Sequence, residues 1–110
     1  MTDIVLILTT LPDDDRGEAL ARALVEERLA ACVNVLAPMT SVYRWQGVVD
    51  RDIERQVVIK TSRDRVAAVQ QRITDLHAYE LPEFLVLPVV DGSTAYLEWV
   101  RAQALEISEA

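Results

Sequence analysis

The sequence holds one histidine and one cysteine. His77 opens the stretch His77-Ala78-Tyr79-Glu80-Leu81-Pro82-Glu83. It is the only side chain able to act as a general base near neutral pH without strong tuning of its pKa. Glu80 and Glu83 share its connector, so the three side chains are candidate ligands for a metal. A single imidazole binds metals weakly, because selective sites need several ligands in fixed geometry. The competing role for His77 is structural: at the end of a helix it interacts with the C-terminal dipole or bonds a carbonyl. Cys32 is the obvious soft ligand, but it opens a strand between apolar residues, where free thiols are commonly buried and inert. Met39 suits surface or interface packing. There is no Ser-His-Asp order, no Gly-rich phosphate loop and no HExxH, so the expectation is a protein that is not an enzyme.

The elements that position these residues are readable from pattern. Ile4 to Thr9 is a continuous apolar run that suits a central strand buried on both faces, broken by Leu11-Pro12. Asp13, Asp14 and Asp15 offer an N-cap to a helix over Arg16 to Leu29, with Leu20, Ala23, Leu24 and Ala30 on its buried face. Thr61 or Ser62 caps a second helix in which Val66, Val69, Ile73 and Leu76 recur at helical spacing. Phe84 to Val90 reads as another strand, and Pro88 inside it places that strand at an edge or bulge. Ala95, Tyr96, Trp99 and Val100 give a last helix one packing face, and the tail beyond Ile107 is expected to fray.

Between the helices lie two long extended runs, Cys32 to Trp45 and Val48 to Lys60, which meet at Gln46-Gly47. This is a hairpin pattern. Pro38 marks a bend, bulge or edge position in the first arm. A two-residue turn puts Tyr43, Trp45 and Asp50 on one face near the tip. An arm of this length measures about 45 Å at about 3.3 Å per residue. A compact chain of this size has a radius of gyration of only about 13 Å. The hairpin should therefore overhang its own domain, and its unpaired edges and exposed aromatics invite pairing with another chain. The order βαββαβ, followed by a helix, is the split ferredoxin-like pattern of an α+β fold.

Composition sets limits on the partners. The 110 residues suit one domain, 1–110, and the 51% hydrophobic content is enough for a core plus an oligomer interface. A net charge of −7 repels phosphate, which argues against nucleic acid. One cysteine permits no internal disulfide. The short apolar run after Met1 lacks a basic leader and a small-residue cleavage site, and no segment reaches the length of a membrane span. The expectation is a soluble, cytoplasmic protein with no membrane partner.

Across nearly the whole chain, a series of motifs resembles the CutA family of divalent-cation tolerance proteins. They are Leu29-Ala30-Ala31-Cys32-Val33-Asn34-Val35, Ser41-Val42-Tyr43-Arg44-Trp45-Gln46-Gly47, Glu54, Ile59-Lys60-Thr61, the connector from His77 to Glu83, and Tyr96-Leu97-Glu98-Trp99. The resemblance implies a ferredoxin-like fold assembled as a homotrimer whose long hairpins pair across subunits. It also implies a role in tolerance of copper or another divalent cation. Trimers of this fold are similar to PII signalling proteins, which leaves a signalling or adaptor module as the alternative. The thiol and histidine places of copper-binding members fall on Thr9, Leu76 and His77, so only His77 keeps a ligand. His-Ala-Tyr here replaces the family's His-Pro-Tyr. Tyr43, Trp45, Lys60, Tyr79 and Glu83 are positions the family pattern keeps. Trp45 and Lys60 are too far apart to meet within one hairpin, so these five are expected to line a cleft between subunits or else to lock the interface. In the cleft, Lys60 beside Glu83 forms an ion pair or a charged floor.

Overall fold

The computed structural model describes residues 2–77 and 79–106. The tail beyond Ile107 lies outside them. The chain builds β1 (Ile4–Pro12), α1 (Arg16–Glu26), β2 (Cys32–Val35), β3 (Met39–Trp45), β4 (Val48–Ser62), α2 (Val66–Leu76), β5 (Leu85–Pro88) and α3 (Thr94–Gln103). A 3-10 turn over Arg63–Arg65 leads into α2. The sheet runs β2-β4-β1-β5, with β3 extending the pairing of β4. Every pairing is antiparallel. This is the expected α+β, ferredoxin-like arrangement with a long central hairpin and an added C-terminal helix.

Side-chain parity along β4 divides the sheet into two faces. Val57, Ile59 and Thr61 point to the helices, together with their partners Val5, Ile7 and Thr9, and all are buried. Leu20 and Leu24 of α1 and Val69 and Ile73 of α2 close the core over them. On the opposite face stand Leu6, Leu8 and Val58, half-buried, with Leu85 and Leu87 of the edge strand exposed. That second face is apolar, and α3 covers only its base, where Val100 is buried with Ile4 and Ala31.

Strand β1 runs to Pro12 instead of ending at Thr9, because Thr10, Leu11 and Pro12 continue to pair with Gln56, Arg55 and Glu54 of the long arm. Helix α1 stops at Glu26, short of Leu29. Arg28 turns to φ 58°, and the amides of Leu29 and Ala30 both return to the carbonyl of Leu24. The expected side-chain caps do not form. Asp14 accepts from the amide of Arg16, while Asp15 occupies the cap position without a side-chain bond. The Thr61 hydroxyl donates to the Leu29 carbonyl, and the Ser62 hydroxyl to Asp64. Leu76, Tyr96 and Trp99 are exposed rather than packed, at 42%, 46% and 44%. Phe84, Val89 and Val90 lie outside β5, which pairs only with β1, so Pro88 sits on an edge strand as expected.

The hairpin overhangs the domain. The molecule measures 49 × 31 × 23 Å with a radius of gyration of 14.8 Å, above the roughly 13 Å of a compact chain. Its tip is a two-residue turn with φ 50° at Gln46 and 82° at Gly47. Two positive φ values match the right-handed twist of the arms. The first arm is broken between Val35 and Met39. Val35 faces Val57 and Met39 faces Glu54. Four steps on one arm (39 − 35) therefore span three on the other (57 − 54), which is one extra residue beside Pro38. Leu24 is fully buried at the centre of the core, so Leu24→Ala is expected to cost about 2–5 kcal/mol, read as a lower denaturant midpoint at an unchanged slope.

Candidate functional site

The extra residue determines where the hairpin aromatics point. Val33 and Val35 face the same side as Ile59 and Val57, toward the helices. Without the bulge Tyr43 and Trp45, also odd-numbered, would point the same way. One added residue reverses the parity, as a one-step register slip does. Tyr43 now faces Asp50, and Trp45 faces Val48. The ladder Asp50, Asp52, Glu54 and Gln56 therefore shares a face with both aromatics, on the side of the sheet away from α1 and α2.

The connector after α2 returns across this face and closes a cleft of about 750 Å³. Tyr43, Trp45, Asp52, Glu54, Tyr79, Glu80 and Glu83 line it with Thr10, and Leu81, Phe84 and Leu85 form its apolar part. The Tyr43 hydroxyl donates to Asp52 Oδ2. That bond, with the neighbouring carboxylate charges, pushes the Tyr43 phenol up to about 12. The Tyr79 hydroxyl donates to Glu54 Oε2 at 2.9 Å, and burial followed by that bond pushes its phenol up as well. Gln56 Nε2 donates to the Thr9 carbonyl at 2.7 Å and to Glu83 Oε2 at 2.9 Å. Three carboxylates are thus each fixed by one neutral donor.

His77 holds the connector in place. Its Nδ1 accepts from the amide of Tyr79 at 3.0 Å, which leaves the proton on Nε2 to donate to the Thr10 carbonyl at 2.7 Å. The ring stacks at a tilt against Tyr79, with centroids 4.8 Å apart. Burial, the largest influence, lowers the His77 pKa. With both nitrogens engaged and the ring neutral, His77 has no lone pair free for a metal. Among the described residues no three His, Cys, Asp or Glu side chains form a group able to hold an ion. His77, Glu80 and Glu83 are therefore not assembled as a ligand set. Thr9, at the family's thiol place, is fully buried on the helix side, facing away from the cleft. The residues present do not fit a resident copper centre.

Of the five cleft residues expected from the sequence, Tyr43, Trp45, Tyr79 and Glu83 meet within one protomer. Lys60 does not join them. It lies twelve residues along β4 from Val48, the partner of Trp45, which is about 40 Å of strand. Its ammonium group sits 5.9 Å from the centroid of the Tyr96 ring. Asp52, Glu54 and Gln56 are site residues that sequence reasoning passes over. Their period-two spacing is visible in β4, but their face depends on the bulge.

Residues 5–103 match the family model described as CutA1 divalent ion tolerance protein. The divalent-cation tolerance protein CutA of Thermus thermophilus is 44% identical over 92% of this chain and 96% of its own. Against longer plant and animal relatives the chain spans between 53% and 60% of their length. The structure of CutA from Archaeoglobus fulgidus, described as periplasmic, superposes with a TM-score of 0.89 at 28% identity, covering 93% of this chain and 99% of that one. A CutA from Nostoc sp. PCC 7120 described as PII-like superposes with a TM-score of 0.85 at 39% identity, covering 92% and 97%.

The state of His77 can be checked by pH. Its folded pKa lies below the unfolded value of about 6.5. The unfolded chain therefore takes up the proton first as pH falls, so the histidine's contribution is complete above about 6.5 and is lost below it. Thermal unfolding followed from pH 7.5 to 5.5 should show a falling midpoint, with a shallower fall in His77→Gln.

Proposed function

Because the chain belongs to the CutA1 divalent ion tolerance family, we propose that it serves divalent-cation tolerance as a cytoplasmic homotrimer, one domain over residues 1–110, that binds ligands and performs no catalysis. The observation that carries this reading is the cleft at the hairpin, where aromatic walls and fixed carboxylates converge outside the core. It is the concave, partly apolar site with a few placed polar groups that ligand binding requires. Weak contact with copper or another divalent cation falls to its carboxylates, since the nitrogens of His77 are already bonded. A signalling role resting on a small molecule in the same cleft draws on the PII-like description of the Nostoc relative.

The trimer is supported by two surfaces. The sheet face opposite α1 and α2 leaves Leu85 and Leu87 exposed at 53% and 40%. The hairpin carries Asp50, Asp52 and Glu54 on one face, and Arg44 and Arg51 on the other. Faces of opposite charge suit a head-to-tail contact, which closes a ring when the rotation allows. In such a ring Lys60 of one subunit can approach the cleft of the next. The compartment rests on the single, unpaired Cys32, which a reducing cytosol permits. No helix among the described residues is long and apolar enough to cross a membrane.

Calorimetric titration of the chelator-treated protein with Cu²⁺ and Zn²⁺ tests the role of metal. Weak binding is expected, reduced several-fold in Glu54→Gln and less than that in His77→Ala, which loosens the connector but removes no carboxylate. Tight saturable binding that disappears in His77→Ala would contradict this assignment.

A further inference from the structure

Three of the four carboxylates of the cleft are fixed by hydrogen bonds, and none is paired with a cation among the described residues. Asp52, Glu54, Glu80 and Glu83 line it, and no Lys or Arg does. None of the four has an ion-pair partner within the described residues. The donors that hold Asp52, Glu54 and Glu83 are a phenol, a second phenol and an amide, all uncharged. A carboxylate offers about four acceptor positions, so most of the acceptor capacity stays free. Both phenols have raised pKa values, so they remain donors.

The walls have the matching character. Trp45 and Tyr43 are partly exposed at the mouth, and the face of an aromatic ring attracts a cation within about 6 Å of its centroid. Leu81, Phe84 and Leu85 add apolar surface. The volume of about 750 Å³ far exceeds a bare ion, and the carboxylates do not converge into a three-ligand group. Spread negative charge, aromatic faces and an apolar floor together select a larger cation. Even with Lys60 of the next subunit at its edge, an anionic ligand would meet four carboxylates against one cation.

We infer that the cleft takes an organic cation, an ammonium or guanidinium group on a short aliphatic stem. The head group sits among Asp52, Glu54 and Glu83 against Tyr43 and Trp45, and the stem lies on Leu81 and Phe84. This inference rests on the cleft being the ligand site and adds the chemical class of the ligand.

The test uses the full chain carrying Trp99→Phe, which leaves Trp45 as the single indole. Agmatine, which carries a guanidinium and an ammonium on a four-carbon stem, is titrated at fixed ionic strength while Trp45 fluorescence is followed. Butyrate serves as the anionic counterpart. A saturable response to agmatine is expected, with none to butyrate. Affinity should fall at least tenfold in Glu54→Gln and again in Glu83→Gln, and should weaken as salt rises. Two carboxylate variants are used so that a folding defect in one, seen by circular dichroism, leaves the other informative. A saturable response to butyrate with none to agmatine overturns the inference but leaves the cleft as the ligand site. Silence of Trp45 toward agmatine, butyrate, Cu²⁺ and Zn²⁺ overturns both. Agmatine binding of equal strength in folded Glu54→Gln and Glu83→Gln overturns the inference alone.

Discussion

Strand β4 is continuous for fifteen residues, while the arm facing it is not. At its base β4 lies between β1 and β2, and its odd-numbered residues are buried under the helices. At its tip it pairs only with β3, and from Val48 to Ile53 it is exposed. A two-stranded ribbon is marginal in water by itself. The base anchors the ribbon in register, and the tip is left with surface that no part of the same chain covers. The apolar sheet face, the opposite charges on the two hairpin faces and the cleft all follow from that division.

The one-residue bulge beside Pro38 gives the division its chemistry. Core packing requires odd-numbered residues of β2 to face the helices, and the bulge releases β3 from that requirement. Tyr43 and Trp45 then share a face with the acidic ladder of β4. His77 completes the site from the other side as a neutral ring, its two nitrogens tying Thr10 to Tyr79 and so setting the Tyr79 hydroxyl on Glu54. The histidine is a positioning residue for a cleft made by others.

Much of this is legible in the sequence because it depends on local pattern. The two arms, the Gln46-Gly47 turn, the helix faces of Leu20, Leu24, Val69 and Ile73, and the edge position of Pro88 all follow from periodicity and turn chemistry. The early end of α1 is not legible, because it falls on Arg28 in the left-handed region, where glycine or asparagine would have signalled it. The full length of β1 is set by pairing with β4 and not by its own residues. The membership of the cleft is hidden for a sharper reason. Pro38 marks where the first arm breaks, but the parity of the break decides which face Asp52, Glu54, Tyr43 and Trp45 occupy. A proline does not say whether the chain gains one residue or two.

The proposed trimer requires that another copy of the chain cover the overhanging half of β4. Amide hydrogen exchange resolved along β4 tests it most directly. If the tip is covered, the amides that close the β3–β4 ladder should exchange nearly as slowly as those of Val57 to Thr61 in the core, since a ribbon buried in an assembly opens only when the assembly does. Fast exchange from Val48 to Ile53, with slow exchange confined to the base, would show the hairpin standing alone in water and would contradict the account.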